Sequence, residues 1–517
     1  MSSLPPVAQA LLSPLIYPDP ASRVELAQTQ MSFVFLAGDY VYKVKKPVNL
    51  GYLDYTTLEK RRRYCQKEVE LNQRLCPEAY LGVVALTRDD RGNISLGGKG
   101  EVVEYAVKMR RLPEQKMMNN LLAAGQVLPE MIVRVARKLA DFHARAETSP
   151  AISTFGDLPT LVQNTEENFS QTEKYIPATL SPKRYQLLTK YTRDFMENQA
   201  ALFQKRVREG RVRDCHGDLH AAHICFTDGI CIYDCIEFND RFRYCDVASE
   251  LAFLAMDLDH YGRADLSYTF TDTYIQESQD GEIERLLPFY KCYRAYVRGK
   301  VEGFKLDDPY ISPPEKEKVR EVASSYFSLA HAYTRGKPLL FITVGLVGTG
   351  KTTLAQALAR RLGLVAISSD VTRKRLAGIP LTEHRYEEFD SGLYSAGFTR
   401  RTYDAMFAEA RSVLSRGGSV ILDASFVKAG ERRKARELAQ ETGAGFYILE
   451  CVLDPETIRK NLAQRKREGS VSDGRWEIYQ PQRKEFEPVT EAEKHVITDS
   501  SRPLPEQVEL VESIMDG

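Results

Sequence analysis

Residues 341–354 read Phe-Ile-Thr-Val-Gly-Leu-Val-Gly-Thr-Gly-Lys-Thr-Thr-Leu, and few folds can accommodate that order. Leu339, Leu340, Phe341, Ile342 and Val344 make a continuous apolar strand, while Leu354, Ala357, Leu358 and Leu362 recur at helical spacing. Between them Gly345, Gly348 and Gly350 let the backbone turn tightly and approach a ligand without Cβ clashes. The spacing Gly345-x4-Gly350-Lys351-Thr352 is that of a phosphate-binding P-loop. Its backbone N–H groups, from Val347 through Thr353 and including Thr349, would cradle phosphates with the helix N-terminus. Lys351 would reach the β/γ-phosphates and the Thr352 hydroxyl would bind Mg²⁺. A chance glycine turn would lack the strand before it and the helix after it.

At 517 residues the chain is too long for one core, and two or three domains are expected. Lys+Arg and Asp+Glu both total 71, so no global basic field recruits nucleic acid. Basic runs such as Lys60-Arg-Arg-Arg63 read as solvated helix faces. No apolar run approaches the roughly 20 residues of a membrane span, and the first residues lack the pattern of a secretory signal. The expectation is a cytoplasmic protein with no membrane partner. Nine cysteines, five of them at Cys215, Cys225, Cys231, Cys235 and Cys245, show no CxxC spacing and read as reduced, buried thiols.

In the first half, residues 24–29, 32–36 and 40–46 read as strands, the last strongly alternating, and Pro47 ends it. A helix over 61–75 follows, carrying Glu68. A strand lysine paired to a mid-helix glutamate is how kinase-type folds hold ATP phosphates, which makes Lys43 and Glu68 candidates. A surface lysine beside an exposed glutamate is the plainer alternative. Residues 102–112 read as another strand, ending in a hinge to a helical lobe. The most informative stretch here is Cys215-His-Gly-Asp-Leu-His-Ala-Ala-His-Ile224, followed by a strand that delivers Asp234. His216, His220 and His223 could suggest zinc, but Gly217-Asp218 argues for a loop, not a helix.

This half resembles the aminoglycoside phosphotransferases and choline-kinase-like enzymes, whose loop reads H-G-D-x-x-x-x-N. Here it is His216-Gly217-Asp218, with His223 in the Asn position, then Asp234 and, twelve residues on, Asp246. The resemblance implies Asp218 as catalytic base, Asp234 and the residue at 223 as Mg²⁺ ligands, and Lys43 with Glu68 as the phosphate lysine and its partner. Glu237 is the runner-up to Asp234. His223 is a poorer Mg²⁺ ligand than an amide oxygen, because hard cations prefer oxygen.

After a boundary near residue 336, strands alternate with helices, which means a parallel sheet with ligands at the strand C-terminal ends. Asp370 and Asp423 sit at such ends. Asp370 suits a base for an acceptor hydroxyl or a helix N-cap; Asp423 suits the second Mg²⁺ carboxylate. This half resembles P-loop kinases of the polynucleotide kinase and zeta-toxin group, with AAA-type ATP binding, on residues 345–353, Ser368-Ser-Asp370, the strand to Asp423, and Arg465 with Ser472-Asp473. The resemblance implies Arg465 as a lid arginine and Arg373 as an acceptor-side contact.

The reading is an α/β chain: a two-lobed α+β kinase-like domain over 1–335 (N-lobe about 24–112, helical lobe about 113–335) and a P-loop kinase domain over 336–517. It would use ATP and Mg²⁺ to phosphorylate a hydroxyl-bearing substrate; a nucleic-acid end fits the fold but not the balanced charge. The alternative is an ATP-driven regulatory protein whose first half is a degenerate kinase-like sensor.

Overall fold

The computed structural model describes residues 4–19, 21–308, 311–380, 383, 391–468, 475–493 and 495–515, except the side chains of 465–468. By contacts the chain forms two compact units. One comprises Met1–Lys174, Thr189–Asp257 and Tyr268–Arg294; the other comprises Tyr175–Leu188, Leu258–Ser267 and Ala295–Gly517.

In the first unit a six-stranded antiparallel sheet runs in the order β1 (Val24–Gln28), β2 (Ser32–Ala37), β3 (Tyr40–Lys45), β6 (Glu101–Arg110), β4 (Tyr80–Arg88), β5 (Ile94–Leu96). Helix Leu58–Gln73 starts at Thr57, whose side chain accepts from the Lys60 N–H, and buries Cys65, Glu68 and Leu71. The sequence reading contains no strand between this helix and β6, yet β4 and β5 lie there. Register shifts at Tyr80/Gly82 and Leu86/Thr87 break the period-two alternation that would have marked β4. Two small ribbons complete this unit's strands: β7 (Val212–Asp214) with β10 (Tyr244–Asp246), and β8 (Ile224–Cys225) with β9 (Cys231–Ile232). Helices make up most of the remainder.

The second unit carries a parallel sheet in the order β12 (Val365–Ser368), β13 (Val420–Asp423), β11 (Leu339–Val344), β14 (Gly445–Val452), β15 (His495–Asp499). All six residues of β11 are buried, as a central parallel strand requires. Helix Lys351–Leu362 packs Leu354, Leu358 and Leu362 against Phe341, Ile421 and Leu449. β15 pairs in parallel with β14 and closes the sheet at that edge.

The reduced-thiol expectation fails for one pair. Cys76 and Cys231 are joined as a disulfide across 155 residues. The other seven cysteines are free, six of them buried, and burial pushes the thiols of Cys65 and Cys235 up to about 12. Among the described residues, no helix is long and apolar enough to cross a membrane.

Candidate active sites

Gly345, Gly348 and Gly350 all have positive φ, from 82° to 145°. A Cβ on Gly345 would stand 2.5 Å from the Cys451 carbonyl oxygen, and one on Gly350 would stand 2.8 Å from Ser500 Oγ. The turn therefore accepts no side chain at either position. The loop delivers Lys351 and Thr352 to the first turn of helix Lys351–Leu362. The Lys351 ammonium donates to the Leu346 carbonyl at 2.7 Å, which holds it over the loop. Both residues line a cavity of about 500 Å³.

The parallel sheet brings two carboxylates to the same cavity. Asp423 ends β13 in register with Ser368, the last residue of β12, and is buried. Asp370 follows in the first turn of helix Ser369–Ala377, whose N-cap residue is Ser368, so Asp370 is not the cap. Asp370 and Asp423 line the cavity together with Arg373 and Glu431. Arg373 Nε and Glu431 Oε2 are buried without a hydrogen-bond partner. Burial raises the Glu431 carboxyl above its ordinary value, and Tyr403 at its side accepts from the Phe426 N–H at 3.1 Å. Phe426 is held at φ 42°, a costly conformation for an aromatic residue and one that marks this wall.

One neighbour of the loop carries no sequence signal. Gln482, on helix Trp476–Glu485, accepts the Val347 N–H through Oε1 at 2.6 Å, so it occupies an amide of the cradle. Arg432 is a structural tie: it donates to Glu493 and to the carbonyls of Phe426, Glu487 and Pro488. The Arg465 side chain and Ser472-Asp473 lie outside the described residues.

In the other unit β3 points Lys43 and Lys45 to one face, two residues apart. Lys43 Nζ stands 2.9 Å from Glu68 Oε1 and 2.7 Å from Asp234 Oδ1. Lys45 Nζ stands 2.7 Å from Glu68 Oε2 and also pairs with Glu237, which accepts from Tyr55 OH at 2.6 Å. Glu68 is thus clamped by two ammonium groups. Burial opposes its charge, yet Lys43 and Lys45 hold its carboxyl below the usual range. Glu237 is buried and braced by Lys45 and Tyr55. The period-two spacing of Lys43 and Lys45 was the available clue to the second lysine.

The His216–His223 segment is a loop followed by a single 3-10 turn over Ala221–His223, as the glycine implies. Gly217 sits at φ 88°, where a Cβ would stand 2.9 Å from the Phe242 carbonyl oxygen and 3.1 Å from Arg243 Cα. The loop hangs on Glu250, a fully buried residue of helix Val247–His260. Glu250 accepts from the N–H groups of His216 (2.8 Å) and Gly217 (2.6 Å), and His143 Nε2 lies 2.8 Å away. Burial disfavours its charge, but His143 and the His216 N–H overcome that and bring the carboxyl down to about 2. Asp246 forms a buried ion pair with Arg206, at 2.6 and 2.7 Å.

Asp218 Oδ2 lies 3.6 Å from His220 Nε2 and from His223 Nδ1, and His223 Nε2 lies 3.6 Å from Asp234 Oδ2. Asp234 follows β9 at φ 63°, a position of backbone strain. Burial and the neighbouring His220 lower His223 to about 4, so it is a neutral imidazole at neutral pH. The two units differ in their fit to Mg²⁺. Thr352 and Asp423 offer hard oxygens beside the P-loop, and they suit it. His223 offers nitrogen, and its site does not.

Residues 57–289 match a family described as the phosphotransferase enzyme family, and residues 340–489 match an AAA domain. Uncharacterized protein Rv2004c of Mycobacterium tuberculosis (strain H37Rv) is 33% identical over 458 residues, which is 88% of each chain. Uncharacterized protein Mb2027c of Mycobacterium bovis matches with the same identity and coverage. A shikimate kinase of Salinispora arenicola is 35% identical over 81 residues, 16% of this chain and 47% of that protein. Among solved structures, a choline/ethanolamine kinase family protein from Mesorhizobium loti is 13% identical with a TM-score of 0.37, covering 62% of this chain and 89% of that one. The chain belongs to one family with these mycobacterial proteins, and it joins a phosphotransferase-family domain to a kinase-like P-loop domain in a single polypeptide.

Proposed function

We propose that residues 336–517 transfer the γ-phosphate of ATP to a hydroxyl on a small polar molecule. The observation that carries this reading is a single cavity lined by Lys351, Thr352, Asp370 and Asp423, with Arg373 and Glu431 on its wall. In this reading the loop amides and Lys351 hold the β/γ-phosphates and compensate the charge that develops on the transferring group. Thr352 and Asp423 would hold Mg²⁺, which would supply charge neutralisation for the transferring phosphate. Asp370 accepts the proton of the acceptor hydroxyl. Arg373 Nε and Glu431 Oε2, a donor and an acceptor left without partners, suit a polar acceptor that satisfies both.

The test is ATP turnover by the full chain against a panel of hydroxylated metabolites and oligonucleotides, with Lys351→Ala beside the unmodified protein. Turnover should fall to background in the variant. Retained turnover would assign the activity to the other half.

A second reading concerns residues 1–335. The Lys43–Glu68 pair, Asp218 and Asp234 support a small-molecule phosphotransferase. However, the Lys43 ammonium is held by Asp234 as well as Glu68, and His223 departs from the family pattern. Those two features favour a nucleotide- or ligand-sensing domain that regulates the P-loop half. Phosphate transfer by a Lys351→Ala chain would decide for the enzyme.

A further inference from the structure

We propose that the loop around Asp218 and Asp234 binds a divalent transition-metal ion of the Mn²⁺, Co²⁺ and Zn²⁺ class in preference to Mg²⁺. The ligands are His223 Nε2 and Asp234 Oδ2. The proposal rests on the N-terminal reading only for what the ion is used for; the binding itself follows from the donors.

His223 Nδ1 lies 2.9 Å from the Asp218 carbonyl oxygen. A carbonyl can only accept, so Nδ1 carries the proton and Nε2 keeps its lone pair. That is the arrangement in which a ligating histidine is oriented by a backbone carbonyl. Nε2 faces Asp234 Oδ2 at 3.6 Å, too far for a hydrogen bond. Two ligands each about 2.0–2.2 Å from one tetrahedral ion stand roughly 3.3–3.6 Å apart, so this separation suits a shared cation. Asp234 is fixed for the task. Its Oδ1 accepts from Lys43 at 2.7 Å, and its N–H donates to Tyr80 OH at 3.2 Å.

His220 Nε2 and Asp218 Oδ2 are likewise 3.6 Å apart, and one donor atom each from Asp218, His220 and His223 lies within 4.8 Å of the others. The charge balance agrees. Asp218, Asp234, Glu68 and Glu237 set four carboxylates against the two ammonium groups of Lys43 and Lys45, a net −2. Mg²⁺ demands octahedral oxygen and keeps its waters, whereas imidazole suits the later divalent ions.

The experiment uses the full chain without nucleotide in a Thr352→Ala background, which removes the P-loop hydroxyl from the titration. Mn²⁺ binding is followed by loss of the free-ion EPR signal, with Mg²⁺ as competitor, and Co²⁺ binding by its ligand-field absorption. The Thr352→Ala protein should bind Mn²⁺ against excess Mg²⁺ and show the Co²⁺ band. His223→Asn, which restores an amide oxygen, should weaken Mn²⁺ by at least about tenfold, abolish the band and let Mg²⁺ compete better. Asp234→Asn should also weaken Mn²⁺, and circular dichroism checks that each variant is folded. Unchanged Mn²⁺ affinity in both variants, or displacement of Mn²⁺ by an equal concentration of Mg²⁺, overturns the proposal. Because nucleotide is absent, either result stands apart from whether this half transfers phosphate.

Discussion

Glu250→Gln tests the support of the His216–Asp218 loop. The carboxylate accepts from two consecutive backbone N–H groups and faces His143, with no exposure to water. Its carboxyl falls from 4.5 to about 2 in the folded protein, which corresponds to roughly 3 kcal/mol favouring the charged form. A neutral amide keeps one acceptor oxygen but turns an NH₂ donor toward groups that are themselves donors, so most of that energy is lost. The expected cost at neutral pH is about 2–4 kcal/mol. Hydrogen exchange of a peptide spanning the loop reads it locally, and 3 kcal/mol corresponds to roughly a hundredfold faster exchange.

The pH dependence has a fixed sign. The folded carboxyl titrates below the unfolded one, so its contribution is complete above about 4.5 and lost as pH falls toward about 2. Above that window the difference between Glu250→Gln and the parent should be constant, and within it the difference should shrink. Exchange in the variant within about 0.5 kcal/mol of the parent at neutral pH would refute the claim that this carboxylate holds the loop.

Three further outcomes are expected. Lys45→Met removes the ammonium that pairs with both Glu68 and Glu237 in a buried site, and should cost about 3–5 kcal/mol in thermal or denaturant unfolding of the N-terminal unit. A loss under 1 kcal/mol would show that solvent reaches those carboxylates. Gln482→Ala frees the Val347 N–H for a phosphate oxygen and should tighten a non-hydrolysable ATP analogue about two- to tenfold by calorimetry; weaker binding would instead make Gln482 a ligand contact. Gly217→Ala forces a Cβ against the Phe242 carbonyl at φ 88°. It should speed exchange across the same loop by more than tenfold, and normal exchange would mean that the loop has room to shift.

Local patterns were legible in the sequence because they are statements about backbone geometry. The glycine spacing at 345–350 needs positive φ, which is a property of those residues alone, and the structure has it at all three glycines. Gly217-Asp218 reads as a loop for the same reason, and the alternation over β3 marked the strand that carries Lys43 before any partner was known. The Glu68 pairing was inferable from a helix of the right length after that strand.

What could not be read locally was which distant side chains meet. Lys45 joins Glu237 across 192 residues, Gln482 reaches Val347 across 135, and Cys76 bonds Cys231 across 155. Glu250 looked like one more helix residue until the packing of helix Val247–His260 aimed it at two loop amides. Composition and spacing determine strands, turns and helix faces because those depend on φ, ψ and a short period. The partners of a buried charge depend on sheet order and helix packing, and only the tertiary structure decides which carboxylate stands nearest each ammonium.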